Sequence, residues 1–407
     1  MREGWGHHKI DEFCLVTDYV ANGSFASLKE NVQYLDQLDF AMLIRYTDHA
    51  NGWNGRHKYV SESAYKFLRK SSLKPGDLIM ANVGDPGNAF LLPNLGMPTT
   101  LGPNSILIRA EKEITSNEFL HYFFLSLEGR QLIDEISAGA AQRKFNKTSF
   151  RGLTIPLPPL EEQQRIVAVL DEAFEGLARA RVHAEANLQN ARALIEAGLG
   201  TAFNPVTAKL NGWDLSDLSS MAKLSYGYTT KANSEPNGPK FLRITDIQDG
   251  TVDWDNVPFC STPPDDYERY RVKSGDILFA RTGATTGKSY LMTDEIEAVA
   301  ASYLIRLRLA SMALKPEYLA LFFQSDVYWE TIRAGISGST QGGFNASKLG
   351  ELVVPVPPLA IQDVVISRLE EIQDQAARLT STYFVKLQDL DDLRQSLLQK
   401  AFAGELT

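Results

Sequence analysis

The stretch GATTGKS, residues 283–289, has the residue types closest to a catalytic motif in this chain. A phosphate-binding P-loop needs a glycine six residues before its lysine, so that backbone amides can surround the phosphates. Thr282 occupies that position, and the glycine stands one residue too close to the lysine. We therefore interpret the stretch as a glycine-rich turn that follows a strand. Arg281, Thr282 and Lys288 then offer cations and a hydroxyl suited to phosphates or base edges.

No other set of side chains indicates catalysis. The six histidines all fall in the first half of the chain, and no histidine or cysteine cluster has zinc-site spacing. Cys14 and Cys260 are too few for a disulfide framework and are typical of free thiols in a reducing compartment. Residues 203–206 and 262–266 lack essential residues of the adenine methyltransferase motif. We expect no catalytic residue, no metal and no cofactor.

Basic side chains interleaved with aromatic ones are the remaining chemical signal, and such interleaving is typical of surfaces that bind nucleic acid. In the first half, the candidate DNA contacts are the basic residues Arg56, Lys58, Lys66, Arg69, Lys70, Arg143, Lys144 and Lys147. In the second half, the candidates combine aromatic, basic and hydroxyl side chains: Tyr226, Tyr228, Lys231, Arg243, Arg271, Arg281, Thr282 and Lys288. Because the net charge is −9, this surface must be local or completed by a basic partner.

Length and composition set the limits of the fold. The 407 residues are 44% hydrophobic and 22% charged, which predicts a globular protein of two to four domains. No run of 18 or more apolar residues occurs, and the N-terminal residues lack the apolar segment of a signal peptide. We therefore expect no membrane association and a cytoplasmic location.

The candidate residues lie in a chain that repeats itself with a shift of 198 or 199 residues. Four pairs of segments carry the repeat: LKPGDLIMANVG (73–84) and VKSGDILFARTG (272–283), IPLPPLEEQQRIV (155–167) and VPVPPLAIQDVVI (354–366), QRKFN (142–146) and QGGFN (341–345), and RYTD (45–48) and RITD (243–246). Such a period is far longer than that of a solenoid. It indicates the duplication of a whole domain with a helix.

Each half begins with a mixed α/β block, and a proline-rich stop then separates this block from a long helix. Apolar residues in both helices recur on average every 3.5 residues, which is the coiled-coil period. The first helix is predicted from about residue 161 to 197, where Gly198 and Gly200 would end it. We expect the two helices to pack antiparallel against each other, rather than on their own α/β blocks, and to act as a spacer.

The doubled PLPPLEEQ-like motif, the long helix after each copy, the doubled G-D-[IL]-[IL] strand and the RTGATTGK turn resemble the specificity subunit of type I restriction–modification enzymes. The resemblance covers essentially the whole chain. It implies two α/β target recognition domains, at 1–155 and 201–354, and two antiparallel coiled-coil spacer helices, at 156–200 and 355–407. These elements would form an internal pseudo-two-fold repeat.

The resemblance also implies a function without catalysis. The chain would bind a bipartite double-stranded DNA target and direct adenine methylation and cleavage by partner subunits. Two methyltransferase (modification) subunits are expected, and restriction subunits can join them. The candidate partner contacts are the repeated residues at the two helix starts: Pro158, Pro159, Leu160, Gln163, Pro357, Pro358, Leu359 and Gln362.

Two other functions stay open at this point. One is a nucleotide hydrolase that uses residues 283–289, and the other is a coiled-coil scaffold with no DNA role. The segments in which the two halves differ most, residues 19–70 and 226–270, are expected to read the DNA sequence, whereas the repeated segments are expected to form a frame held by partners.

Overall fold

A computed structural model describes residues 4–139, 142–248, 250–337 and 343–406. Gln341 and Gly342 of the second QGGFN copy therefore lie outside the described residues. The chain divides into two compact units, one formed by residues 1–184 and 386–407, and the other by residues 185–385.

Each unit contains a four-stranded antiparallel sheet, here called its main sheet. In spatial order, the strands of the first main sheet are Cys14–Asp18, Ser105–Ala110, Leu78–Ala81 and Ala89–Leu91. Those of the second are Ala222–Tyr226, Leu304–Leu309, Ile277–Ala280 and Ser289–Leu291. Strand order and direction are the same in both, so the repeat seen in the sequence is also a repeat of topology.

Each unit also contains a second four-stranded sheet with one parallel strand pair. In the first unit this sheet consists of Lys58–Val60, Ala41–Ile44, Thr99–Leu101 and Ser72–Leu73. In the second it consists of Ala232–Asn233, Phe259–Cys260, Lys240–Leu242 and Ala298–Ala300. Among the described residues, the remaining strands form four two-stranded pairs: Gly6–Lys9 with Thr154–Leu157, Val83–Gly84 with Arg143–Lys144, Asp214–Asp217 with Val353–Val356, and Ile247–Gln248 with Thr251–Val252.

The α-helices are short apart from the two long ones. Before the first long helix they are Ile10–Phe13, Phe25–Asn31, Tyr46–Ala50, Glu62–Phe67, Asn117–Leu125, Leu127–Ile136 and Lys147–Arg151. After it they are Pro205–Leu210, Leu218–Met221, Tyr267–Tyr270, Pro316–Phe322, Asp326–Ser337 and Ala346–Gly350. The 3-10 turns are Tyr19–Asn22, Arg69–Ser71, Ile244–Asp246 and Gly283–Thr285.

In each α/β block, two consecutive helices are separated at a serine: Asn117–Leu125 from Leu127–Ile136, and Pro316–Phe322 from Asp326–Ser337. Ser126 and Ser325 lie 199 residues apart, and both are buried. The Ser126 hydroxyl accepts a hydrogen bond from the amide of Gly129, and that of Ser325 accepts one from the amide of Tyr328. Because a serine at this position satisfies an amide at the start of the next helix, it favours a new helix over continuation of the old one.

The long helices run over Leu160–Ala202 and Leu359–Ala403. The prediction that Gly198 and Gly200 end the first helix is therefore wrong. Interior glycines cost only about 1 kcal/mol each relative to alanine, and packing can offset that cost. Gly198 has such packing, because a Cβ there would lie 3.1 Å from side-chain atoms of both Leu369 and Ile372.

Within the first unit, the two long helices run antiparallel. The guanidinium of Arg394 lies 5.0 Å from the centre of the Phe174 ring, and Arg181 pairs with Asp391 further along. The prediction that these helices pack only against each other is incomplete. Ile166 and Leu170 belong to the core of the α/β block of this unit, so the helix start is part of the domain.

The helix ends enter the domain cores in the same way in both units. The Phe402 ring lies 5.5 Å from the rings of Phe119 and Phe123 in the first unit. The ring of Phe203 lies 5.2 Å from Tyr318 and 5.4 Å from Phe322 in the second. Leu194 and Leu393 belong to the predicted apolar repeat of the long helices, yet they are 46% and 48% exposed instead of buried. They lie 199 residues apart and therefore occupy corresponding positions of the two helices. A helix of 3.6 residues per turn drifts away from a 3.5-residue repeat, so positions of the repeat leave the buried face.

Candidate DNA interface

The G-D motif anchors one inner strand of each main sheet, Leu78–Ala81 in the first unit and Ile277–Ala280 in the second, here called the middle strands. In the first unit, Asp77 is buried and its carboxylate accepts hydrogen bonds from Arg109 Nε at 2.7 Å and Nη2 at 2.5 Å. The preceding Gly76 has a φ of +84°, which glycine adopts without strain. The hydrogen bond to Asp77 raises the pKa of Arg109 above its usual value.

The same anchor exists in the second unit. Asp276 accepts from Arg308 Nε and Nη2 at 2.6 Å each, and Gly275 has a φ of +86°. The hydrogen bond to Asp276 likewise raises the pKa of Arg308. The aspartate–arginine pair therefore joins the same two inner strands in both main sheets. The side chains just after the end of each middle strand differ between the two units.

In the first unit, the residue after the middle strand is Asn82. Its amide donates to the carbonyl of Asn104 at 3.1 Å, and its carbonyl accepts from the amide of Phe145 at 3.1 Å. Its side-chain Nδ2 also donates to the carbonyl of Phe145, at 3.2 Å. The side chain of Asn82 is therefore tied to its own domain.

In the second unit, the corresponding residue is Arg281. Its amide donates to the carbonyl of Tyr303 at 3.2 Å, and its carbonyl accepts from the amide of Phe344 at 2.9 Å. Tyr303 and Phe344 each lie 199 residues after their counterparts in the first unit. The backbone geometry is thus repeated, whereas an arginine and a tyrosine replace two asparagines.

A third position at this strand end differs as well. Asp18 lies opposite Ile106 in the first main sheet, and Tyr226 lies opposite Ile305 in the second. Asp18 forms an ion pair with Lys147 at 2.9 Å. The hydroxyl of Tyr226 instead accepts from the amide of Ala346 at 3.2 Å, and its ring centre lies 4.8 Å from the guanidinium of Arg281. The strand end of the second unit therefore presents an arginine stacked on a tyrosine.

The turn after Arg281 does not form a P-loop, and its Gly287 is required by close packing against the rest of the domain. A Cβ on Gly287 would lie 2.8 Å from Ile332, and one on Gly87 would lie 2.9 Å from Ile133, the corresponding isoleucine. The turn leads into the strand Ser289–Leu291, whereas a P-loop leads into a helix whose amides bind phosphate. The glycine-rich turn predicted after the strand is the geometry observed.

Arg243, a candidate DNA contact, is engaged within its own domain. Its Nε and Nη2 donate to the Asp246 carboxylate at 3.0 and 2.6 Å. Arg45 makes the same contacts with Asp48 at 3.1 and 2.6 Å. These hydrogen bonds raise the pKa of both arginines. The RYTD and RITD copies are therefore a repeated structural turn.

Five other candidates form ion pairs inside their units. The pairs are Lys58–Asp36, Lys66–Glu62, Arg143–Asp134, Lys147–Asp18 and Arg271–Glu268. Within the described ranges, seven basic candidates have side chains without a hydrogen bond or ion pair: Arg56, Arg69, Lys70, Lys144, Lys231, Arg281 and Lys288. These seven are the cations that a DNA phosphate or base could engage without breaking an existing pair.

The structure brings some candidates together and keeps others apart. The strand Arg143–Lys144 pairs with Val83–Gly84, so both cations lie beside the turn that follows Asn82. Tyr226 contacts Arg281, while Tyr228 lies 5.0 Å from Tyr270. Lys58, Lys66, Arg69 and Lys70 belong to the second sheet of the first unit and to the helix and turn that follow its strand.

The candidate partner residues at the helix starts separate into buried and exposed ones. Gln163 is buried: its Nε2 donates to the carbonyls of Pro158 and Ile114 at 2.9 and 3.0 Å, and its Oε1 accepts from the Thr115 hydroxyl at 2.7 Å. Gln163 therefore fastens the helix start to its own domain.

Gln362 is buried in the corresponding position. Its Nε2 donates to Pro357 and Ala313 at 2.8 and 2.7 Å, and its Oε1 accepts from the amide of Lys315 at 2.8 Å. Because both glutamines are buried in their own domains, their assignment to a partner surface is corrected. Pro158 and Pro357 are buried as well, and the same correction applies to them. Pro159, Leu160, Pro358 and Leu359 are exposed or half-buried and stay candidates for partner contact.

Sequence reasoning missed Asn82, Asn104 and Tyr303. Applying the 199-residue shift to every residue, and not only to the matching ones, would have paired Asn82 with Arg281 and Asn104 with Tyr303. Within the described ranges, no group of three or more histidine, cysteine, aspartate or glutamate residues could hold a metal ion. Among the same residues, no helix is long and apolar enough to cross a membrane.

Comparison with known proteins identifies the class to which this fold and interface belong. The family described as type I restriction modification DNA specificity domain matches residues 3–182 and 211–383. The chain belongs to this family, whose members recognise DNA sequence and are not themselves catalytic. Each matched segment covers one copy of the α/β block and extends into the long helix that follows it.

Individual relatives agree with this membership. The EcoKI specificity subunit of Escherichia coli K12 is 27% identical over 100% of this chain and 90% of its own length. The StySPI specificity subunit of Salmonella potsdam is 26% identical with the same coverage.

Solved structures show the same fold. The HsdS subunit from Thermoanaerobacter tengcongensis matches with a TM-score of 0.63 at 22% identity, covering 100% of this chain and 98% of its own. A chain solved for the assembly and conformational transition of the type I R-M system matches with a TM-score of 0.75 at 22% identity, covering 100% and 99%.

Proposed function

We propose that this chain recognises a bipartite DNA target, with each unit reading one half-site, and directs adenine methylation and cleavage by partner subunits. The half-sites are read in the major groove, where the four base pairs present different patterns of donors and acceptors. An unread gap separates them. The chain acts in the cytoplasm together with methyltransferase and restriction subunits.

One observation supports two different half-sites more than any other. The residues that follow the middle strands have the same backbone hydrogen bonds in both units but carry the side chains of Asn82 and Arg281. A repeated backbone with different side chains is what two readers of different sequences require. The unpaired cations near these points, such as Lys144 and Lys288, suit contacts with the DNA backbone.

The repeated surfaces support two methyltransferase subunits. Pro159 and Leu160 at one helix start correspond to Pro358 and Leu359 at the other, and Leu359 is 43% exposed. A pair of like surfaces on one chain can bind two copies of one partner. Such partners also supply the positive charge that an acidic chain lacks, because DNA affinity depends on neutralising phosphates.

The two alternative functions are less consistent with these observations. Residues 283–289 lack the geometry of a nucleotide site. The isolated wild-type chain is therefore expected to turn over no ATP, and a Lys288→Ala substitution should change nothing in that assay. A scaffold without a DNA role would show no dependence of binding on DNA sequence. Salt-sensitive, sequence-dependent binding by the assembled complex would exclude the scaffold.

Mapping methylated adenines in a host that expresses this chain with its methyltransferase partner tests the proposal. The expected result is a bipartite methylated motif that disappears when this chain is deleted. A motif that survives the deletion, or methylation without a bipartite motif, would contradict the proposal.

A further inference from the structure

We infer that Arg281 reads a guanine in the half-site bound by the second unit, and that the first unit has no equivalent guanine contact at the corresponding position. This inference rests on the proposed function and adds a residue and a base to it. Guanine presents two acceptors, O6 and N7, on its major-groove edge, and the planar guanidinium of arginine matches both at once.

Arg281 is half-buried and its Nε is shielded from solvent without a partner, so the terminal nitrogens of its guanidinium are the donors available for a base. Within the described ranges, its guanidinium has neither a hydrogen bond nor an ion pair. The two other arginines predicted as DNA contacts in this unit already have carboxylate partners. Arg243 donates two hydrogen bonds to Asp246, and Arg271 forms an ion pair with Glu268 at 3.3 Å.

The side chain of Arg281 is also held in place, as base recognition requires. Both backbone groups of Arg281 are hydrogen-bonded, to Tyr303 and Phe344. The guanidinium lies 4.8 Å from the ring centre of Tyr226, and the hydroxyl of that tyrosine is fixed by the amide of Ala346. Stacking on an aromatic ring reduces the freedom that an arginine loses when it binds a planar partner.

The first unit lacks this arrangement. Asn82 uses its Nδ2 on the carbonyl of Phe145, and its Oδ1 is buried without a partner, so the amide is not presented to a ligand. A free cation nearby is Lys144, on the neighbouring strand, and its position corresponds to Gly343 in the second unit. A lysine on an exposed strand suits a phosphate, whereas an anchored arginine suits a base.

Binding competition with the assembled complex tests the inference, using the motif mapped for the wild-type chain. Duplexes with single substitutions in each half-site give the discrimination at every position. We expect Arg281→Ala to reduce discrimination at one guanine of the second half-site by about 5- to 150-fold and to leave the first half-site unchanged. Arg281→Lys keeps the charge but replaces the planar guanidinium with a single ammonium group, so it should reduce the same discrimination by less than the alanine variant does.

Lys288→Ala is the matched control, because Lys288 is an exposed, unpaired cation in the same turn. It should weaken all duplexes equally and reduce the salt dependence by about one phosphate contact. Retained discrimination in Arg281→Ala, together with uniform weakening of all duplexes, would overturn the inference in favour of a phosphate contact. A wild-type bipartite motif with no G·C pair in the second half-site would also overturn it, yet leave the proposed function intact.

Discussion

Single residues of this chain have their roles set by what they contact and not by their type. Arg109 and Arg308 hold buried aspartates, Arg243 closes a turn, and Arg281 stacks on a tyrosine with its donors unused. An arginine in a basic–aromatic segment is therefore a structural residue in some places and a candidate reader in others. The distinction lies in whether a carboxylate from the same domain already occupies the guanidinium.

Removing a buried aspartate tests this structural role. We expect Asp77→Ala to lower the free energy of unfolding by about 3 kcal/mol, because the half-buried Arg109 would lose its partner. Urea denaturation of the full chain measures the change. Asp36→Ala is the control: that aspartate pairs with Lys58 at the surface, so no measurable change is expected. Equal effects of both substitutions would contradict the assignment.

At the scale of elements, the start of each long helix is fastened to the preceding α/β block by one buried glutamine. Gln163 and Gln362 each make two donor contacts and one acceptor contact. The amide group is required, because a carboxylate cannot donate to the two facing carbonyls. This explains why a glutamine recurs five residues after a buried proline in both halves.

Replacing Gln163 with glutamate tests this role at almost constant volume. We expect Gln163→Glu to lower the free energy of unfolding by about 3 kcal/mol, because a buried carboxyl group would face two carbonyl oxygens. Thermal unfolding measures the effect. Gln164→Glu is the matched control, since Gln164 is exposed in the same helical turn and an added acid suits a helix N-terminus. A similar loss in both variants would show that the added charge, and not the lost donors, is responsible.

Interior glycines of the first long helix offer a second test of element packing. Apart from the adjacent backbone of its own helix, no atom lies within 4 Å of a Cβ on Gly176, so Gly176→Ala should raise the free energy of unfolding by about 1 kcal/mol. Gly198→Ala should gain less, because its methyl group would crowd Leu369 and Ile372 at 3.1 Å. Urea denaturation compares the two variants, and equal gains would contradict the close packing at Gly198.

Elements could be predicted from the sequence where local pattern decides them. The long helices, the middle strands and the glycine-rich turn follow from apolar spacing, turn residues and the repeat. Roles decided by tertiary contacts could not be predicted. Nothing in the local sequence shows that Gln163 is buried, that Gly198 stays inside a helix, or that Arg243 is held by Asp246.

At the scale of the whole molecule, both long helices contribute residues to both units. Residues 160–184 and 386–403 belong to the first unit, and residues 185–202 and 359–385 belong to the second. The boundaries between the units therefore fall inside the helices, after Ala184 and after Val385. If the units read separate half-sites, the length of these helices sets the unread gap.

Inserting one heptad into each long helix at these boundaries tests whether helix length sets the gap. Seven residues add about 10 Å of helix and nearly preserve the helix face, so each unit keeps its own packing. DNA rises about 3.4 Å per base pair, so the gap should lengthen by at most about three base pairs. Mapping of methylated adenines should then show a longer gap between unchanged half-sites.

Inserting the heptad into the first helix alone is the control, and it should abolish methylation at the motif because the paired helices no longer match in length. An unchanged gap in the double insertion, or an altered base within either half-site, would contradict a spacer role for these helices.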